Sequence, residues 1–138
     1  MVRVAVINYG AGNLRSVERA FKVIGAEVFI VENKSEIKTA DAIVLPGVGA
    51  FKSAMEYMKE KKVADAIIDA SAEKPLLGIC LGMHLFTEYG EEGSVDGLGI
   101  IKGCQKRLSG VKIPHMGWNR IVPVKDDRIF DGIVEGFF

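Results

Sequence analysis

The sequence has few cysteines, no net charge and no long apolar run, and each shortage excludes a class of protein. Its two cysteines, Cys80 and Cys104, cannot form a disulfide framework, which favours a reducing cytoplasm. Because 18 Lys and Arg balance 18 Asp and Glu, no field of one sign attracts nucleic acid or a membrane surface. No apolar stretch approaches the roughly 18 residues that span a membrane. We expect a cytoplasmic protein that binds neither nucleic acid nor membrane.

What the chain does contain is apolar residues and glycine. A hydrophobic content of 49% in 138 residues predicts a folded core and excludes disorder. With sixteen glycines in 138 residues, the glycine content exceeds the usual share of roughly 7%, which indicates tight loops. Since no repeat, low-complexity tract or linker is present, we expect a single domain over residues 1–138.

Apolar runs alternate with helical periods in the first 90 residues. Runs apolar on both faces predict buried parallel strands at residues 2–7, 27–31, 42–45 and 76–79. Helical spacing covers residues 13–25, 50–72 and 83–86, while residues 35–39 indicate a polar connection. This alternation predicts an α/β fold, a doubly wound, mostly parallel sheet with helices on both faces.

Residues 90–138 show no convincing helical period. Short extended runs predict a β-rich second half, at residues 100–101, 104–108, 120–124 and 133–138. Cys104 is interpreted as an ordinary core residue there. Because a parallel sheet needs cover on both faces and the sequence stops on two phenylalanines, we expect an amino-terminal portion of a domain that is incomplete at its C-terminus.

A cysteine stands between glycines in Gly78-Ile79-Cys80-Leu81-Gly82, directly after a predicted strand and before a helix. This is the pattern of a nucleophile elbow with cysteine in place of serine. Small neighbours let the side chain project, and a helix N-terminus favours the thiolate. We predict that Cys80 is a nucleophile; the alternative is a buried structural cysteine flanked by chance glycines.

The preceding strand ends at Pro46-Gly47-Val48-Gly49, where an open parallel sheet places its ligand crevice. Gly47 and Gly49, which flank Val48, allow backbone amides to turn toward a developing oxyanion, with the Leu81 amide as second donor. A simple strand-to-helix turn is the alternative, which the neighbouring elbow makes less favourable.

The Gly10-Ala11-Gly12 loop looks superficially like a dinucleotide fingerprint, but the third glycine position holds Arg15. This excludes a nicotinamide site, and we expect neither a cofactor nor a metal. Asn13 and Ser16 open the next helix, either as a crevice rim or partner surface or as simple helix caps. The loop at residues 114–119 holds the only tryptophan, Trp118, which suits a partner contact or a buried plug.

With these motifs the chain resembles the glutaminase subunit of imidazole glycerol phosphate synthase, in the class I glutamine amidotransferase family. The elbow marks the class, and the Pro114-His115-Met116-Gly117-Trp118-Asn119 loop picks out this subunit. Sister amidotransferases that make anthranilate or aminodeoxychorismate share the elbow and are the closest alternatives.

The resemblance implies that Cys80 attacks the side-chain amide of glutamine, forms a thioester and frees ammonia. Gly47 and Val48 match the family's oxyanion strand, and Glu92 its contact to the amino-acid end of glutamine. Ammonia would pass through a channel to a (β/α)₈ barrel cyclase, the heterodimer partner in histidine biosynthesis.

Asn13, Ser16 and Trp118 fall where this family faces that barrel. The resemblance also exposes two departures. His84 stands where the family usually has a substrate-holding Gln, and no histidine follows Asn119, where a His-Pro-Glu segment would complete the triad. Without a base little of the thiol is ionised at neutral pH. We therefore expect better partner binding than glutamine hydrolysis, and a catalytically incomplete binding subunit or an unrelated cysteine hydrolase remain alternatives.

Overall fold

The structure is a computed structural model that describes residues 1–114, 117–132 and, for the backbone alone, 136–137. The chain divides into two units, Met1–Arg107 and Leu108–Phe138, and each is described by itself. The expectation of one domain over residues 1–138 stays a prediction.

A four-stranded parallel sheet, in the order β2-β1-β3-β4, forms the centre of the first unit. Its strands are β1 (Arg3–Ile7), β2 (Glu27–Val31), β3 (Ala42–Leu45) and β4 (Leu76–Gly78). Each lies within one residue of its predicted bounds. The central strands β1 and β3 are almost fully buried, as predicted, whereas β2 and β4, at the two ends of the described sheet, are only partly buried. The predicted mostly parallel α/β fold is confirmed.

Five helices connect these strands: α1 (Leu14–Val23), α2 (Lys34–Ile37), α3 (Phe51–Glu60), α4 (Ala64–Ser71) and α5 (Leu81–His84). Alternating β1 side chains face opposite layers, since successive residues of a strand point to opposite faces. Ala5 and Ile7 belong to the core cluster that contains α3 and α4 residues, whereas Val4 and Val6 pack with α1 residues. Helices therefore lie on both faces of the sheet.

Two short stretches differ from prediction. Residues 35–39 were expected as a connection, but α2 forms because Asn33 caps it: the Asn33 side chain accepts from the Glu36 backbone N–H at 3.3 Å and donates to its carboxylate at 2.8 Å. Ile37 then anchors the helix as a fully buried side chain. The capping pair was the missed signal.

The helix predicted through residue 86 is also wrong, because α5 ends at His84 and a strand, β5 (Thr87–Gly90), follows almost at once. The Thr87 hydroxyl donates to the His84 carbonyl at 2.9 Å, which satisfies a carbonyl at the helix end. β5 is the central strand of a second sheet, between antiparallel β6 (Val95–Asp96) and parallel β7 (Ile101–Gln105).

Cys104 lies on β7, an edge strand, and is exposed, so its interpretation as a core residue is wrong. In the second unit, β8 (Arg120–Ile121) pairs antiparallel with β9 (Gly136–Phe137), and a 3₁₀ turn covers Arg128–Phe130. The run predicted at residues 133–138 lies partly outside the described residues.

Candidate active site

Cys80 occupies a strained turn between β4 and α5. Its φ is +55° and its ψ is −117°, a conformation that only glycine adopts without cost. The backbone N–H groups of Met83 and His84 donate to the Cys80 carbonyl at 3.0 and 3.2 Å, so α5 starts immediately behind the cysteine. The side chain is exposed. This backbone holds the Cys80 side chain at the carboxyl edge of the sheet, which is the geometry of an elbow.

The two glycines of the elbow are required by close packing. A Cβ at Gly78 would lie 2.5 Å from the Met83 Cα, and a Cβ at Gly82 would overlap the Leu45 carbonyl oxygen. The Ile79 N–H donates to that same Leu45 carbonyl at 3.0 Å. Because the obstructing atoms are backbone, no side-chain rotation relieves either overlap.

The loop after β3 lies against the elbow. Pro46 and Gly47 are buried, while Val48 is exposed and Gly49 has a φ of +97°. A Cβ at Gly47 would come within 2.9 Å of the Leu81 Cβ. The structure thus brings Gly47 against Leu81, whereas Gly49 has no neighbour within 4 Å of a would-be Cβ.

Tyr9, two residues after the end of β1, was missed by sequence reasoning. The residue is 2% exposed, and its hydroxyl has no hydrogen-bond partner among the residues that the structure describes. Any Cβ at Gly47 would overlap this hydroxyl. Burial raises the pKa of Tyr9 well above its ordinary value, and the nearby charge of Cys80 raises it further. The only sequence signal was a tyrosine directly after a buried strand.

A cavity of about 570 Å³ lies in the first unit and contains two predicted substrate residues, His84 and Glu92. Its other lining residues are Phe51, Glu91, Gln105, Lys106 and Arg107. His84 lies one helical turn after Cys80, but Cys80 and the Gly47 loop are not among the residues that line the cavity. It combines two carboxylates with two cationic side chains, so it presents both charges to a small ligand.

Two contacts fix the carboxylates of this cavity. The Glu92 carboxylate accepts from the Phe51 backbone N–H at 3.4 Å, at the start of α3. The Glu91 carboxylate accepts from the Arg107 backbone N–H at 3.0 Å. Sequence reasoning found Glu92 through the resemblance alone and missed Phe51, Glu91 and Arg107.

The predicted partner-facing residues lie in both units. The Asn13 side chain accepts from the Ser16 backbone N–H at 3.3 Å, so it caps α1, and both residues are exposed. Trp118, in the second unit, is 82% exposed, which argues against a buried plug. Its motif neighbours His115 and Met116 lie outside the described residues.

Two other kinds of feature are absent from the described part of the chain. No helix there has the length and apolar character needed to cross a membrane. Nor do those residues bring together three or more His, Cys, Asp or Glu side chains in a group that could hold a metal ion.

A cysteine elbow at the carboxyl edge of a parallel sheet, with a glycine loop on the adjacent strand, is the site of a class of enzymes that form thioesters. The chain belongs to the class-I glutamine amidotransferase family, whose model matches residues 5–137.

Within that family its relatives are subunits called HisH of imidazole glycerol phosphate synthase. The protein from Bacillus cereus (strain B4264) is 45% identical over 98% of this chain and 66% of its own length. The protein from Oceanobacillus iheyensis is 46% identical over 96% of this chain and 67% of its own. The HisH 1 subunit of Campylobacter jejuni (strain 81-176) is 47% identical over 94% of this chain and 68% of its own length. The chain thus spans about two thirds of the length of these curated relatives.

Solved structures show the same fold. A crystal structure described as glutamine amidotransferase superposes with a TM-score of 0.70 at 21% identity, over 85% of this chain and 62% of the other. A putative peptidase E protein from Listeria monocytogenes EGD-e gives a TM-score of 0.61 at 15% identity, over 72% of this chain and 63% of the other. At these identities the likeness concerns the fold alone.

Proposed function

We propose that this chain acts as the glutaminase subunit of imidazole glycerol phosphate synthase. It hydrolyses glutamine through a Cys80 thioester and delivers ammonia to a (β/α)₈ barrel cyclase subunit, in the cytoplasm, for histidine biosynthesis. The observation that carries the proposal is the strained Cys80 elbow packed against the Gly47 loop. The identity of about 45% to HisH subunits supports this synthase over the sister amidotransferases.

The cavity suits the amino-acid end of glutamine. A free amino acid carries an ammonium and a carboxylate on one carbon, and the cavity offers Glu91 and Glu92 to the first and Lys106 and Arg107 to the second. In our proposal Glu92 takes the ammonium, and His84 donates or accepts one hydrogen bond at the position where the resemblance implies a Gln. The side-chain amide then extends toward Cys80.

The reaction proceeds in two steps. The Cys80 thiolate adds to the amide carbon, and the oxyanion that forms accepts hydrogen bonds from the Val48 and Leu81 amides. The C–N bond then breaks as nitrogen gains a proton, which leaves ammonia and a thioester. Water hydrolyses the thioester to glutamate and restores the thiol.

The proton transfers need a general base that faces the thiol from across the crevice. His84 lies on the nucleophile's own helix, and no histidine follows His115 in the sequence. In the proposed reaction the base therefore comes from a group outside residues 1–138. Because no such base has been identified among residues 1–138, a partner-binding subunit without turnover is the second candidate function. We assign Asn13, Ser16 and Trp118 to the cyclase-facing surface in either case.

The test uses the complete gene product that carries this sequence, alone and mixed with its cyclase subunit. Glutamate release from glutamine is expected in the mixture and is expected to fall by about a thousandfold or more in Cys80→Ala. Cys104→Ala is the matched control, because it removes the other exposed thiol, and its rate should match the parent protein. Binding of the cyclase without glutamate release would favour the second candidate, and turnover that survives Cys80→Ala would refute the nucleophile.

A further inference from the structure

The Tyr9 hydroxyl is a buried polar group that the proposed reaction does not yet use. It lies against Gly47, so tightly that no Cβ fits between them, and it lacks a hydrogen-bond partner within the described residues. A buried hydroxyl without a partner destabilises a fold, because it has lost its hydrogen bonds to water. A buried polar group that costs stability and lies against the proposed oxyanion loop is typical of a functional group.

The backbone around Tyr9 holds the ring in place. The Asn8 N–H donates to the Val31 carbonyl at 2.8 Å, and the Asn8 side chain accepts from the Gly10 N–H at 3.1 Å. The Tyr57 ring covers Gly10 from the other side, 3.4 Å from where a Cβ would be. Since these contacts hold the residues on either side of Tyr9 and the ring is 2% exposed, we expect the hydroxyl to gain a partner by a turn of the neighbouring loop toward it.

The Gly47–Val48 peptide is the unit that can turn. Its N–H is the proposed oxyanion donor, and in a trans peptide the C=O points away from the N–H. When the N–H faces the crevice, the Gly47 carbonyl faces away from it. Val48 and Gly49 are exposed, and Gly49 has no neighbour within 4 Å of a would-be Cβ, so the loop has room to rotate.

We propose that Tyr9 is a positioning residue that donates a hydrogen bond from its hydroxyl to the Gly47 carbonyl and thereby holds the Val48 N–H toward the oxyanion. This inference rests on the proposed glutaminase reaction. Formation of this hydrogen bond removes the free-energy cost of the unpartnered Tyr9 hydroxyl. The bond therefore stabilises the loop arrangement in which the Val48 N–H faces the oxyanion over the one in which the hydroxyl has no partner. The hydroxyl touches neither substrate nor the reacting atoms and acts through the loop.

The test compares Tyr9→Phe with Tyr57→Phe in the complete gene product with its cyclase subunit. Both substitutions remove one hydroxyl and keep the ring, but only Tyr9 lies against the loop. For Tyr9→Phe we expect kcat for glutamate release to fall by about tenfold, less than the loss of a direct oxyanion donor, with KM unchanged. Alkylation of Cys80 by iodoacetamide should keep its rate, because that displacement forms no oxyanion. The melting temperature should not fall, and Tyr57→Phe should match the parent protein in every assay.

Each contrary result points to a different error. An unchanged kcat in Tyr9→Phe overturns the inference while leaving the glutaminase activity intact. An equal fall in the alkylation rate means that the hydroxyl acts on the thiol, and a lower melting temperature with a parallel loss of turnover means a structural role; both overturn it. A parent protein that releases no glutamate refutes the proposed function and this inference with it.

Discussion

Replacement of Cys80 by glycine should stabilise the fold relative to replacement by alanine. Cys80 has a φ of +55° and a ψ of −117°, which is the mirror image of an ordinary extended conformation. Alanine at this position keeps the steric strain, about 1–3 kcal/mol for such a conformation, whereas glycine has none. Both variants lose the thiol, so their difference reports the backbone alone.

Glycine also has a cost, because the unfolded chain gains freedom that must be lost on folding. That term opposes the strain relief by roughly 0.5–1 kcal/mol. Taking about 2 kcal/mol for the strain, the free energy of unfolding should be about 1 kcal/mol higher for Cys80→Gly than for Cys80→Ala. A higher free energy of unfolding with glycine than with alanine is unusual, since glycine normally destabilises a structured position.

Urea unfolding followed by circular dichroism measures this difference as a shift in midpoint at constant slope. Ala20→Gly provides the control, because Ala20 is exposed within α1, where glycine should lower the free energy of unfolding by about 1 kcal/mol. A Cys80→Gly variant no more stable than Cys80→Ala would refute the argument that the elbow is strained.

Three further predictions concern the packing, the cavity and the surface. Gly82→Ala should lower the free energy of unfolding by about 3 kcal/mol in the same urea assay, because its methyl overlaps the Leu45 carbonyl oxygen; helix propensity alone predicts a gain of about 1 kcal/mol, so any stabilisation contradicts the clash. Glu92→Gln should raise KM for glutamine by about tenfold with little change in kcat, and an unchanged KM would remove Glu92 from substrate binding. The Lys22 ammonium donates to the Glu18 carboxylate at 2.6 Å and lowers the pKa of Glu18, so this pair's contribution is present at neutral pH and is lost as pH falls through that lowered pKa. An NMR titration should show the pKa of Glu18 rise in Lys22→Met, and no change would contradict the pairing.

The strands of the parallel sheet and the elbow were readable from the sequence because their causes are local. A continuous apolar run has few structures open to it besides a strand covered on both faces. Glycines on either side of Cys80 indicate close backbone approach, and the structure supplies the atoms that they approach, in Met83 and Leu45. In both cases the signal lies within a few residues of the feature.

Features that depend on distant partners were not readable. Strand β5 has no apolar alternation, and it exists because β6 and β7 pair with it on both sides. Cys104 is exposed because β7 is an edge strand of that second sheet. Whether a strand lies at the edge or the centre of a sheet cannot be predicted from its own residues. The contact of Tyr9 with Gly47 joins two loops that are remote along the chain.

Strand order explains why those two loops meet. From β1 the chain moves outward to β2, then returns across β1 to place β3 on its other side, so the direction of winding reverses between β1 and β3. The helices that follow these two strands, α1 and α3, lie on opposite faces, and in open α/β sheets this reversal is the place where ligands bind. Tyr9 and Gly47 come from the loops after β1 and β3 and are in contact, and the residue after Cys80, Leu81, packs against Gly47 as well. A buried hydroxyl at the point where the winding reverses is thus in contact with the one loop whose rotation the proposed chemistry requires.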